Sequence, residues 1–163
     1  MVGPYFIDFE AFQHGSGSFK IKELCVIDVD RPLSPLYFVF RESTRWSSLT
    51  VEQQQTFAYQ TRELHGLHWE EGITRYCRSC IWSWIKETFP LCRNSIFYVM
   101  GKQKMEYLQK EFPQLNFCEY NVTLNNLPSI APNIKCLYRD HEQTHCACLK
   151  CFRLLQHYIC STD

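Results

Sequence analysis

Two acids inside an apolar, aromatic run constrain this chain more than any other feature. Asp8 and Glu10 stand in Tyr5-Phe6-Ile7-Asp8-Phe9-Glu10-Ala11-Phe12. Such a run reads as a strand, and its period of two puts both carboxylates on one face. Side-by-side carboxylates on a core strand suffer desolvation and mutual repulsion unless something positive lies between them. A divalent metal or a pair of basic side chains would serve, and the rest of the chain must supply one or the other.

The 163 residues suit a single domain spanning 1–163 with a core of ordinary size. After this first strand, a Gly/Ser-rich connection from His14 to Ser18 predicts a hairpin into a second strand from Phe19 to Asp30. A turn at Arg31-Pro32-Leu33-Ser34-Pro35 precedes a third strand, Leu36 to Phe40. The period then changes. Thr50 is placed to cap a helix running to about Arg62, and Ile73, Cys77, Cys80, Ile81, Trp84 and Ile85 recur at helical spacing. Ser95 to Met100 is a short strand-like run, and Met105, Leu108 and Phe112 line a helix after Gly101. Leu115 to Cys118 reads as an edge strand, and Ala147, Cys151, Leu154, Leu155, Tyr158 and Ile159 as the stripe of a last helix. The order β-β-β, α, α, β-α-β, loop, α predicts an α/β fold. Its sheet would have five strands, a meander extended by parallel strands with helices on both faces, the ribonuclease H-like architecture.

Lys+Arg and Asp+Glu are both 17, so any attraction to nucleic acid must be local. Ten cysteines need an account. Met1-Val2-Gly3-Pro4 runs into a strand instead of a signal peptide, and no apolar stretch reaches transmembrane length. The expectation is an intracellular protein, cytoplasmic or nuclear, with no membrane contact and mostly reduced, buried thiols. Asn121-Val122-Thr123 is then a chance match to a glycosylation triplet.

Asp8-Phe9-Glu10 on the first strand and Ile21-Lys22-Glu23-Leu24 on the second resemble the DEDDh class of 3′–5′ exonucleases. Leu64-His65-Gly66-Leu67, the strand and helix from Ile96 to Leu108, and His145-Cys146-Ala147-Cys148-Leu149-Lys150 resemble its remaining motifs. The resemblance implies four carboxylates holding two divalent ions and a histidine, here His145, as general base. The chain departs from that pattern at two places. Lys104 stands at the second-motif aspartate and Lys150 at the final one. Exchanging two carboxylates for two ammonium groups moves the formal charge of the site from about −4 to about 0. Pairing of Lys104 and Lys150 with Asp8 and Glu10 is the simplest expectation, and two-metal hydrolysis is then lost. The lesser alternative is that Asp8 and Glu10 are a structural pair that only satisfies local hydrogen bonds.

Cys136-x4-His141-x4-Cys146 leads into the last helix with the thiolate and imidazole donors that suit zinc. Glu23 is the best fourth ligand, since the second strand neighbours the first, against which the last helix packs in this fold. His145 could replace His141. The set Glu23, Cys136, His141 and Cys146 resembles the zinc site of the Maelstrom nuclease-like domain, a DEDDh relative in the piRNA pathway. It also resembles short invertebrate proteins with a late Cys…His…Cys-Ala. The chain differs from Maelstrom in keeping Asp8-x-Glu10 and in lacking an HMG box. Zinc here would be structural, pinning the last helix and its loop to the sheet.

Other candidates carry weaker signals. Cys77-x2-Cys80 and Cys148-x2-Cys151 read as helix-packing pairs before they read as ligands. His65 and His68 flank a turn that in an exonuclease lies near the terminal nucleotide, but a packed turn with an exposed histidine is the plainer reading. Arg75, Arg78 and Lys86, with Lys102 and Lys110 elsewhere, could hold phosphates or simply form solvated faces. Cys146 beside His145 is a poor nucleophile pair, since adjacent helix residues point apart. The resemblance thus implies a zinc-stabilised, inactivated exonuclease-like module that binds single-stranded RNA or a protein partner in RNA silencing or mobile-element biology. An active single-strand nuclease with a non-standard site and a purely protein-binding adaptor remain the alternatives.

Overall fold

The computed structural model describes residues 3–15, 19–142 and 144–162. The expected hairpin connection at Ser16-Gly17-Ser18 lies outside them. Strands β1 (Tyr5–Gln13), β2 (Phe19–Asp28) and β3 (Leu36–Arg41) form an antiparallel meander. β5 (Ile96–Val99) joins β1 in parallel, and β6 (Asn116–Glu119) joins β5 in parallel. Four helices accompany them: α1 (Val51–Gln60), α2 (Arg78–Thr88), α3 (Lys102–Glu111) and α4 (Ala147–Thr162).

The sheet has six strands, one more than the sequence pattern predicts, in the order β4-β3-β2-β1-β5-β6. The extra strand, β4, is Thr74–Arg75, parallel to β3. It lies where helical spacing had been read from Ile73 onward. Ile73 is not part of a helix stripe; its side chain is exposed and its N–H donates to the Val39 carbonyl. Gly72 permits this approach, because a Cβ there would stand 2.6 Å from the Phe40 carbonyl carbon at a φ of +126°.

Alternation along β1 separates two cores. Tyr5, Ile7 and Phe9 face α2 and α3, packing with Ile81, Ile85, Leu108 and Phe112. Phe6 faces α4 with Cys25 and Ile27 of β2, against Cys148, Cys151 and Leu154. Asp8 and Glu10 share that second face, and so does Glu23, the register partner of Glu10. Phe12, Phe57 and Trp69 make a third cluster that seats α1 at the end of β1, with Phe57 and Trp69 stacked at 4.7 Å. Fully burying rings of this size stabilises by about 1.5–3 kcal/mol each.

Local signals set the helix ends. Thr50 caps α1 in a capping box with Gln53. The chain then widens into a π turn, Thr61–His65, and stops at Gly66 with a left-handed φ of 68°. A register shift between Glu10 and Ala11 leaves Lys22 of β2 as the extra residue of a bulge. Its buried ammonium donates to the Trp69 carbonyl at 2.9 Å and to the Glu71 carbonyl, tying that loop to the sheet. No described helix is long and apolar enough to cross a membrane.

Candidate functional site

Asp8 and Glu10 project toward α4 and are both buried. Lys104, from the first turn of α3, places Nζ 2.8 Å from Asp8 Oδ1 and 3.3 Å from Glu10 Oε1. It also donates to the Phe9 carbonyl and sits 5.1 Å from the Phe9 ring centroid. Lys150, from the first turn of α4, lies 2.8 Å from Asp8 Oδ2 and donates to Glu10 Oε1. Each ammonium therefore bridges both carboxylates, and the four formal charges sum to zero.

The electrostatics follow from burial and pairing. Burial alone would raise the Glu10 pKa, but Lys104 and Lys150 outweigh it and hold the carboxyl at about 2. Burial would likewise strip the proton from Lys150, yet Asp8 and Glu10 keep its pKa above the usual ammonium range. Glu10 and Lys150 are thus charged at neutral pH. The ammonium groups occupy the space between the carboxylates that a divalent ion would need, and their charge opposes one. His145 makes no side-chain hydrogen bond or ion pair with this group among the described residues.

Directly beside it, Glu23, Cys136, His141 and Cys146 bring one ligand atom each to within 4.8 Å of one another. His141 Nε2 lies 3.2 Å from Glu23 Oε1 and 3.4 Å from Cys136 Sγ, and Cys146 Sγ lies 3.4 Å from Glu23 Oε1. These four residues can hold a metal ion. Without one, hydrogen bonds from Cys146 and Cys148 drive the Cys136 thiol far down, while burial and Cys136 push Cys146 far up. Burial works against a charged His141, but Cys136 and Glu23 raise it to about 10. A metal bound here would displace protons from the thiols and the imidazole.

A supporting layer orients the donors. His141 Nδ1 lies 2.7 Å from the His65 carbonyl, which fixes the donating tautomer there and leaves Nε2 for the cluster. Glu23 Oε2 accepts the Ala147 N–H at 2.9 Å, so the start of α4 is anchored to β2. Tyr37 of β3 donates to Glu23 Oε1 at 2.6 Å and lies 3.2 Å from Cys136 Sγ. Gly66 completes this wall: a Cβ there would meet the Glu142 backbone nitrogen at 3.0 Å and His141 Cβ at 3.3 Å. Neither Tyr37 nor the His65 carbonyl was legible in the sequence. The available signal was a polar-tipped aromatic on the inward face of β3, two pairings from Glu23.

Other singled-out residues fall as follows. His65 is buried, accepts the Leu67 N–H at Nδ1, and leaves Nε2 without a partner among the described residues. Burial lowers its pKa to about 4. His68 is the exposed histidine of that turn. Cys148 and Cys151 are buried in the α4 core, as helix packing predicts. Cys77 and Cys80 do not pack as thiols, as their spacing suggests, but form a disulfide across the first turn of α2, with Cys77 as its N-cap. The other eight cysteines are free. No protein-family model and no curated protein matches the sequence.

Proposed function

We propose that this chain is a zinc-stapled domain of ribonuclease H-like type whose exonuclease centre has been inactivated, and that it binds single-stranded RNA. The observation that carries this reading is the pair of ammonium groups, from Lys104 and Lys150, bridging the two first-strand carboxylates. The strand order supports the fold assignment: a meander followed by two parallel strands, with acids on the central strand. A cavity of about 610 Å³ beside the His65–His68 turn, lined by Trp46, Arg62 and Trp69 among others, lies where the resemblance expects a terminal nucleotide.

Zinc is the metal that the donor set fits. Two sulfurs, one imidazole nitrogen and one carboxylate oxygen are its usual ligands, with bonds of about 2.0–2.3 Å. Tetrahedral geometry at those bond lengths gives ligand–ligand edges of about 3.3–3.8 Å. The separations of 3.4 Å fall inside that range and that of 3.2 Å just below it, with all four donor atoms within 4.8 Å of one another. Four protein ligands leave no position for a reactive water, so the role is structural. Eight of the ten cysteines are free, which favours an intracellular, reducing setting, and the Cys77–Cys80 disulfide is the one oxidised pair. A place in RNA silencing or mobile-element biology rests on the resemblance alone.

The test combines elemental analysis with a nuclease assay. Purified protein should carry one zinc per chain and leave labelled single-stranded RNA intact in Mg²⁺ or Mn²⁺. Cleavage that disappears in Asp8→Ala would sink the inactive reading and favour the nuclease alternative.

A further inference from the structure

Lys20, Arg41 and Arg75 stand together at one end of the sheet, on β2, β3 and β4. Arg41 and Arg75 are direct register partners. All three side chains are exposed, and none makes an ion pair among the described residues. Like charges directly opposite one another are destabilising in a sheet. Here the repulsion is set into concave surface: the cations line a cavity of about 320 Å³, and the two arginines also line an adjoining one of about 420 Å³. The first cavity contains one acid, Glu42, whose Oε1 is buried and unbonded among the described residues. The half-buried rings of Phe19, Tyr76 and Tyr107 line the same cavity. Tyr76 is held through its hydroxyl to Glu111 and Tyr107 to the Phe19 carbonyl, so the rings are fixed in place.

We infer that this end of the sheet binds the phosphodiester backbone of single-stranded nucleic acid, with Lys20, Arg41 and Arg75 on phosphates and the three rings receiving a base. The inference rests on the RNA-binding reading above and locates it on residues outside the lysine–carboxylate group, one turn along α3 from Lys104. Cations beside aromatic rings fit a single strand, which offers phosphates and unstacked bases at once; a duplex hides its bases. The chain as a whole is neutral, so the attraction is confined to this patch.

Fluorescence anisotropy with a labelled oligoribonucleotide, titrated across salt, tests the site. Three phosphate contacts predict log affinity falling with log salt at a slope of about −2, from ~0.7 per contact on a single strand. Arg41→Gln/Arg75→Gln should flatten the slope by about 1.4 and weaken low-salt binding roughly tenfold. Lys102→Gln/Lys110→Gln, which removes the same net charge from α3, should leave both nearly unchanged. An arginine variant that binds like wild type overturns this site while the RNA reading stands. An equal loss in the α3 variant, or displacement by polyglutamate at matched charge, overturns it as well. Wild-type protein that binds no oligonucleotide at low salt overturns the RNA reading itself.

Discussion

Replacing Lys150 with methionine preserves much of the side-chain volume and removes one ammonium from a site that is closed to water. Its magnitude follows from Glu10, whose carboxyl falls from 4.5 to about 2 despite burial. At ~1.4 kcal/mol per pKa unit, that is about 3 kcal/mol of net charge stabilisation from the two lysines together. Without Lys150, two buried carboxylates share only Lys104, and uncompensated buried charge of this kind costs about 3–5 kcal/mol. Urea unfolding at pH 7 should therefore show Lys150→Met destabilised by about 3–5 kcal/mol. The pH dependence carries the sign. In wild type the Glu10 carboxyl is depressed, so its contribution is present above about 4.5 and lost as pH falls toward 2. The Lys150 ammonium is raised, so its contribution is full below about 10.5 and lost only at higher pH. In the variant, burial favours a protonated Glu10, and the deficit should shrink between pH 7 and pH 4. A deficit under about 1 kcal/mol at pH 7, or one that stays constant on acidification, would refute the argument that buried charge holds this site together.

Two further perturbations follow from the neighbouring centre. A strong zinc chelator, or Cys146→Ser, should lower Tm by about 5–10 °C, because the start of α4 and the preceding loop lose their tie to β2. An unchanged melt on verified metal removal would show that the ion does not staple this helix. Gly66→Ala should cost at least about 1–2 kcal/mol from its left-handed φ of 68°, before the contact with the Glu142 backbone is counted. That contact pushes on the segment carrying His141, so metal content should fall as well; full stability with full metal content would contradict it.

What the sequence revealed and what it hid divide along one physical line. β1 and its carboxylates were legible because alternation in an apolar run has one reading, and the α4 stripe was legible because its period is sustained. The cluster residues Cys136, His141 and Cys146, which could hold a metal, were legible from spacing, and Glu23 from the adjacency of β2 to β1. β4 was hidden because two residues carry no period, and their pairing with β3 depends on a glycine approach that is tertiary. The bulge that frees Lys22 was hidden for the same reason, since register is a property of the pair of strands. The Cys77–Cys80 disulfide was hidden because their spacing suits packing, ligation and bonding alike.

The two charged groups are better understood as one construction than as two neighbours. Glu10 and Glu23 are direct cross-strand partners facing α4, an arrangement that by itself repels. The chain meets each from the same helix start, Glu23 with a hydrogen-bond donor and Glu10 with a cation. Cys146, whose carbonyl accepts the Lys150 N–H, reaches Glu23; Lys150, four residues on and so on the same side, reaches Glu10. His65 joins the halves, its carbonyl facing His141 while its ring feels the Glu10 charge. His141 lies 3.2 Å from Glu23 Oε1, and against burial Cys136 and Glu23 raise its pKa to about 10, so Glu23 is offset by an imidazolium as Glu10 is by Lys104 and Lys150. The lysines and the Glu23 cluster thus do complementary work, each making tolerable a carboxylate that would otherwise oppose its cross-strand partner.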